Sequence, residues 1–253
     1  MQIAGKVVIV TGAACGIGAA LARGATRRGA RVAVADRDAA GLATVAAEIG
    51  AFAVPGDLRD PGHIAALVDQ VEVQLGPVDL CCCNAGIASG FGHTLNLAAP
   101  EDALWQAAWE VNVLSHVRLA RRLIPNMTAR RQGHFLMTLS AAGLLTQPGS
   151  AIYSTTKHAA LGFAESLAIA HHAQGIGVTA LCPQAVDTAL LAAIPRGAAQ
   201  RDGVLTAEEV AEAGLRGVED GVFLVTPHAK VRDYLRRKAQ DPDAWIAAMR
   251  RIS

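Results

Sequence analysis

The sequence predicts an α/β fold: a doubly wound parallel sheet of about seven strands with helices on both faces, in one domain spanning 1–253. Three observations carry this. Short apolar runs rich in β-branched residues alternate with helical patterns along the whole chain. A glycine-rich turn joins the first such run to the first helix. A carboxylate, Asp36, ends the second run.

Strands are expected at 6–10, 31–35, 51–54, 78–83, 134–140, 177–182 and 222–226. The first, Lys6 to Val10, leads into Thr11-Gly12-Ala-Ala-Cys15-Gly16-Ile17-Gly18 and a helical pattern reaching Arg28. Free N–H groups at the start of such a helix point at a phosphate, and glycines let the backbone approach it. The spacing is G-x-x-x-G-x-G. Asp36 follows about twenty residues later, where a carboxylate can accept hydrogen bonds from ribose hydroxyls and repel a 2′-phosphate. Its alternative reading is a helix N-cap. Arg37 is the counter-argument, since it could pair with that phosphate.

Tyr153 and Lys157 form Y-x-x-x-K, with Ser140 thirteen residues upstream of the tyrosine and Asn112 further back. A helix over 151–174 puts Tyr153 and Lys157 on one face. A lysine charge beside a phenol favours the phenolate. Bringing a tyrosine from a pKa near ~10 to neutrality needs roughly 4 kcal/mol, within reach of one close cation in a partly dry site.

Taken together, T-G-x-x-x-G-x-G (11–18), Asp57-Leu58, Asn84-Ala85-Gly86, Asn112, Ser140 and Tyr153-x-x-x-Lys157 resemble the classical short-chain dehydrogenase/reductase family, in its order and spacing over essentially the whole chain. The resemblance implies a Rossmann-type sheet. It implies Tyr153 as the general acid/base, Ser140 as its partner on the substrate oxygen, Lys157 as the group that lowers the tyrosine pKa and holds the nicotinamide ribose, and Asn112 as the anchor of a relay water. It further implies cofactor contacts from Gly12, Cys15, Gly16, Ile17, Gly18, Asp36 and Arg37, from Asp57 and Leu58 at the adenine, and from Asn84, Ala85 and Gly86. Cys182-Pro183-Gln184-Ala185-Val186-Asp187-Thr188 matches the family's P-G-x-V-x-T, so Pro183, Val186 and Thr188 are expected at the carboxamide. Gln184 replaces the usual glycine. Cys15 stands where members that use NADP often carry a basic residue, and with Asp36 it favours NAD over NADP.

The expected activity is NAD-dependent interconversion of a secondary alcohol and a ketone. The pocket is expected to include Ala141, Ala142, Gln147, Gln184 and Ala185, under a lid at 189–205. The small residues beside Ser140 suggest room for a bulky, mostly apolar substrate. Rival readings are an NADPH-dependent carbonyl or ketoacyl reductase, an NAD-binding protein without turnover, and a lyase or epimerase using transient oxidation.

Bulk properties narrow the partners. Hydrophobic content of 52% in 253 residues suits one full core. A net charge of +1 points to neither nucleic acid nor an anionic membrane. No apolar run reaches the ~18–20 residues of a membrane span, residues 1–5 lead straight into the first strand, and a cytoplasmic protein is expected. Five cysteines do not make a disulfide framework. Cys81, Cys82 and Cys83 alternate faces on a strand and cannot converge on a metal, so no metal site is expected. The paired His171-His172 reads as solvated, and Arg118, Arg121 and Arg122 as a solvated face or a subunit contact. The long helix around 102–130 should kink or end near Pro125. That helix and the one at 151–174 pair subunits in similar enzymes, so a homotetramer or dimer is expected. Trp245 reads as part of either a docking helix or the far wall of the pocket.

Overall fold

In the computed structural model, which describes residues 1–91, 96–192 and 200–251, seven parallel strands form one sheet in the order β3-β2-β1-β4-β5-β6-β7. They are β1 (Val7–Thr11), β2 (Arg31–Asp36), β3 (Phe52–Pro55), β4 (Leu80–Cys83), β5 (Gly133–Thr138), β6 (Ile176–Leu181) and β7 (Leu224–Val225). Each expected strand is present within a few residues. The last is the shortest because only Leu224 and Val225 pair with β6.

Both faces of the sheet are covered, which is why its central strands read as unbroken apolar runs. One face packs under α1 (Gly16–Arg27), α2 (Ala39–Ile49) and α9 (Ala207–Asp220), around Val8, Val10, Leu21, Leu42, Val210 and Leu215. The other packs under α3 (Pro61–Leu75), α5 (Ser115–Ala129) and α7 (Ala151–His171), around Ile9, Leu67, Leu119, Leu123, Phe135 and Ala164. Cys81 and Cys83 lie on this second face and Cys82 on the first, all fully buried.

The remaining helices are α4 (Asp102–Trp109), α6 (Ala142–Leu145), α8 (Ala189–Ala192), α10 (Lys230–Gln240) and α11 (Pro242–Met249). The expected break at Pro125 is not found. The helix runs through it to Ala129, because both Pro125 and Arg121, whose carbonyl loses its donor, are exposed to water. The irregularity comes earlier, as a π-helical turn over Glu110–Leu114 that contains Asn112. The arginines of α5 are largely engaged within the fold. Arg118 pairs with Glu110 at 2.6 Å, and Arg122 pairs with Asp69 of α3.

At the N-terminal edge of the sheet, buried Asp79 ties three segments together. Its carboxylate accepts from the Val7 amide (3.1 Å), Arg130 (3.0 Å) and Gln132 (2.7 Å). Burial pushes its pKa up, but these donors outweigh that and hold it below the ordinary carboxylate value. Its contribution is therefore present above the unfolded carboxylate pKa near ~4 and fades as pH falls through the lower folded value. Asp79→Ala leaves the Val7 amide without this acceptor and Arg130 with only the Val78 carbonyl and the Asn126 side chain. The expected loss is about 2–4 kcal/mol in denaturant unfolding at pH 7, shrinking in acid.

Candidate active site

Strand order reverses between β1 and β4, which opens a cleft at their C-terminal ends. Asn84 holds that cleft in shape. Its side-chain amide donates to the carbonyls of Thr11 (3.0 Å) and Gly12 (3.3 Å), and its backbone N–H donates to Thr11 Oγ1 at 3.0 Å. Thr11 Oγ1 in turn donates to the Cys82 carbonyl at 3.2 Å. The glycine turn is thereby drawn against β4. Gly12 has φ +66°, and a Cβ there would lie 2.8 Å from the Ala85 Cα, so no larger residue fits.

The start of α1 is open. Cys15 precedes it with extended backbone and makes no side-chain cap, and the first turn carries no acidic residue. The first helical bond is Ala19 N–H to Cys15 O, which leaves the amides of Gly16, Ile17 and Gly18 without a helical partner. This is the donor set of a phosphate cradle. Asp36 lines the same cleft. Its Oδ2 accepts from the Ala14 amide (3.1 Å) and its Oδ1 from the Asp38 amide (3.0 Å). The helix N-cap of α2 is Asp38, which accepts from Gly41, so the capping alternative for Asp36 is set aside. Asp57 is clamped by Arg59 at 2.8 and 2.6 Å, and that guanidinium holds its carboxyl below the usual range, with a smaller contribution from Arg37. The Cys15 thiol is pushed up by burial and then by Asp36 and Asp38. The residues present thus fit a nucleotide: amides for phosphate, and Asp36, with lone pairs to spare, for ribose hydroxyls.

Deeper in the cleft stand Tyr153, Lys157 and Ser140, all buried. Tyr153 and Lys157 share one face of α7, with Nζ 5.6 Å from the phenol ring centroid. The expected lowering of the phenol by the lysine is not what the free protein has. Burial pushes Tyr153 above the ordinary tyrosine value, and the Ser140 hydroxyl beside it acts in the opposite direction. Burial likewise brings Lys157 down to about 8, and its ammonium donates to the Thr138 carbonyl at 3.0 Å. Desolvation weakens the lysine's hold on its proton and also opposes ionisation of the phenol. Ser140 Oγ accepts from the Ala142 amide at 3.1 Å, which fixes its direction.

These groups open on one cavity of about 990 Å³. Every expected site residue lines it except Asn112. The Asn112 side chain is spent on structure: it donates to the Ile87 carbonyl (2.9 Å) and Thr156 Oγ1 (3.0 Å) and accepts from the Ile87 amide (2.8 Å). One turn on, His116 is fully buried, and neither ring nitrogen has a well-formed hydrogen bond among the described residues, the Ala85 backbone being its polar neighbour. Burial, with the Lys157 charge second, brings it down to about 3, so it is neutral. Only its spacing from Asn112 could have flagged it in the sequence.

The departure at Gln184 has a visible consequence. Its amide nitrogen donates to Asp202 at 3.2 Å, and Asp202 also takes Tyr234 Oη (3.2 Å) and Lys230 Nζ (3.1 Å). The backbone amide of Gln184 donates to His228 Nδ1 (3.2 Å), so Nε2 carries the proton toward the Ala185 carbonyl at 3.1 Å. Of the expected lid, 189–192 is helical and Leu205 bridges Val186, while 193–199 lies outside the described residues. Trp245 serves both readings at once. It packs on Tyr234 with centroids 6.1 Å apart, donates to the Leu145 carbonyl at 3.4 Å, and lines the cavity. Tyr234, Arg237 and Met249 of the same wall were not anticipated, because nothing in an amphipathic terminal helix announces what it covers.

A nucleotide cleft continuous with a buried hydroxyl–phenol–ammonium set defines an oxidoreductase of hydroxyl-bearing substrates. The chain belongs to the short-chain dehydrogenase family, whose model, described as short chain dehydrogenase, matches residues 6–199. It is 36% identical to 1-deoxy-11-beta-hydroxypentalenate dehydrogenase of Streptomyces exfoliatus, over 97% of this chain and 90% of that one. It is 34% identical to cis-4-hydroxycyclohexanecarboxylate dehydrogenase of Sinomonas cyclohexanicum, over 82% of this chain and 87% of that one. A short chain dehydrogenase/reductase from Burkholderia phymatum, solved in complex with NAD, superposes with a TM-score of 0.86 at 27% identity, covering 96% of both chains. No helix among the described residues is long and apolar enough to cross a membrane.

Removing the buried charge tests the electrostatics. The folded value of Lys157 lies below the 10.5 of an ordinary lysine, so its charge opposes folding at every pH below about 8. The penalty fades as pH rises from there toward 10.5. In the cofactor-free protein, Lys157→Met is expected to raise stability by about 1–3 kcal/mol at pH 7, with the advantage disappearing near pH 10. Thermal unfolding across that range measures it.

Proposed function

We propose that the protein is an NAD-dependent dehydrogenase of a bulky, mostly apolar secondary alcohol, with an alicyclic hydroxy acid as the substrate class. The observation that carries this is the single cavity joining the open start of α1 and Asp36 to Ser140, Tyr153 and Lys157. The related dehydrogenases named for hydroxypentalenate and hydroxycyclohexanecarboxylate support the substrate class.

The amides of Gly16, Ile17 and Gly18 would hold the pyrophosphate, Asp36 the adenosine ribose, and Val186 and Thr188 the carboxamide. The nicotinamide, when bound, supplies the hydride acceptor or donor. Ser140 hydrogen-bonds the substrate oxygen, and Tyr153 takes its proton during oxidation or returns it during reduction. Lys157 stabilises the phenolate and, through a water, passes the proton on to solvent. The raised phenol makes oxidation an alkaline reaction: its rate rises with pH as Tyr153 ionises. Asp36 and Asp38 crowd the place a 2′-phosphate would occupy, which favours NAD. The chain acts in the cytoplasm as a homotetramer or dimer.

Two measurements test this. NADH formation from secondary alcohols is expected to fall by about 10²–10⁴-fold in Tyr153→Phe with NAD binding retained, and activity surviving in that variant would overturn the proton-transfer role. Asp36→Ala is expected to lower kcat/KM for NAD about 10- to 100-fold and to narrow its margin over NADP. An unchanged cofactor ratio would remove Asp36 from the ribose.

A further inference from the structure

The end of the cavity remote from the cofactor is built by α10, α11 and the segment around Asp202. Its surface is mostly apolar, from Trp245, Ala248 and Met249, with two arginines, Arg201 and Arg237, set into it. Arginines elsewhere on the surface commonly find carboxylates: Arg23 pairs with Glu48, Arg59 with Asp57, Arg216 with Glu212 and, next to Arg237 itself, Arg236 with Asp233. Arg237 and Arg201 have no such partner among the described residues. The three carboxylates nearest them along the chain are engaged elsewhere, Asp233 by Arg236. Asp202 is taken by Lys230, Gln184 and Tyr234, and Asp241 accepts from the Ala244 amide as the cap of α11. One wall of the cavity therefore carries two exposed guanidinium groups with no carboxylate in ion-pair contact among the described residues.

We infer that Arg237 is the specificity-determining residue of this site, binding a carboxylate borne by the substrate on the side of its ring system opposite the reacting hydroxyl. The inference rests on the dehydrogenase reading for the identity of the reacting end, but the anion subsite stands on its own geometry. Arg237 lies in the last turn of α10, a helix whose position is fixed by two anchors. Lys238 donates to the Leu144 carbonyl at 2.7 Å, and Tyr234 donates to Asp202. A planar guanidinium matches a carboxylate with two parallel hydrogen bonds. Trp245 and Met249 would cover the hydrocarbon between the two polar ends, so an acid is selected over a neutral alcohol of the same shape.

The test compares 4-hydroxycyclohexanecarboxylate with its methyl ester, in the full-length protein with NAD. Wild type and Arg237→Leu are measured for turnover by NADH absorbance and for binding by calorimetry. The acid is expected to exceed the ester in kcat/KM at least tenfold in the wild type. In Arg237→Leu, KM and Kd for the acid should rise about 10- to 100-fold with kcat little changed, while the ester keeps its KM within about twofold. The ester arm also reports that the variant is folded. Equal use and equal binding of acid and ester by the wild type, or a variant that weakens both alike, would overturn the assignment. Acid that binds in an Arg237-dependent way without being oxidised would leave the subsite standing and count against the dehydrogenase reading instead.

Discussion

The contact between the Thr11-Gly12 turn and Asn84 is the constraint on which the cleft depends. Three hydrogen bonds from Asn84, and the Thr11 hydroxyl behind them, hold the end of β1 against the exit of β4. Without that closure the start of α1 would have no fixed relation to the segment that leads on to Gly86, and Gly86 in turn lies next to the Lys157 ammonium and Asn112. A parallel sheet supplies a crevice wherever its order reverses. The staple turns that crevice into a shaped surface whose two halves, nucleotide and proton-handling, stay in register.

The chemistry deeper in the cleft is held in an unfavourable state. Tyr153, Lys157 and His116 are all removed from water, and burial shifts each toward its neutral form. At pH 7 the phenol and the imidazole are neutral while Lys157, brought to about 8, keeps its charge. The value of the set lies in what happens when charge is brought in: with little water to screen it, a change in one group is felt strongly by the next. The cost appears in the folded protein as the destabilising lysine, and Asn112 offsets part of it by spending its whole side chain on holding α7 and the Ile87 segment in place.

Much of this was legible in the sequence because local rules and global fold agree. Period and composition located all seven strands, since buried parallel strands must be continuous apolar runs. The glycine turn and the carboxylate ending β2 were legible because a strand–turn–helix unit is spelled out locally in the sequence. What the sequence misjudged depends on surroundings that no local pattern contains. Pro125 looked like a helix stop, and only the exposure of Arg121 makes it harmless. Lys157 looked like a charge that would acidify Tyr153, and only the depth of the site reverses the sign. Tyr234, Arg237 and Met249 carry no motif, and their role follows from where α10 and α11 come to rest.

That resting place separates two kinds of change. The terminal helices meet the rest of the cavity through a few anchors: Lys238 and Trp245 on the carbonyls of Leu144 and Leu145, and Tyr234 and Lys230 on Asp202. Two of these anchor points are main-chain carbonyls, indifferent to the side chains they carry. The residues between the anchors can therefore be exchanged without disturbing Ser140, Tyr153 or Lys157. On the proposed reading, selectivity belongs to the terminal helices and reactivity to the segments of Ser140 and Tyr153, so the one can drift toward new ring systems while the other stays as it is.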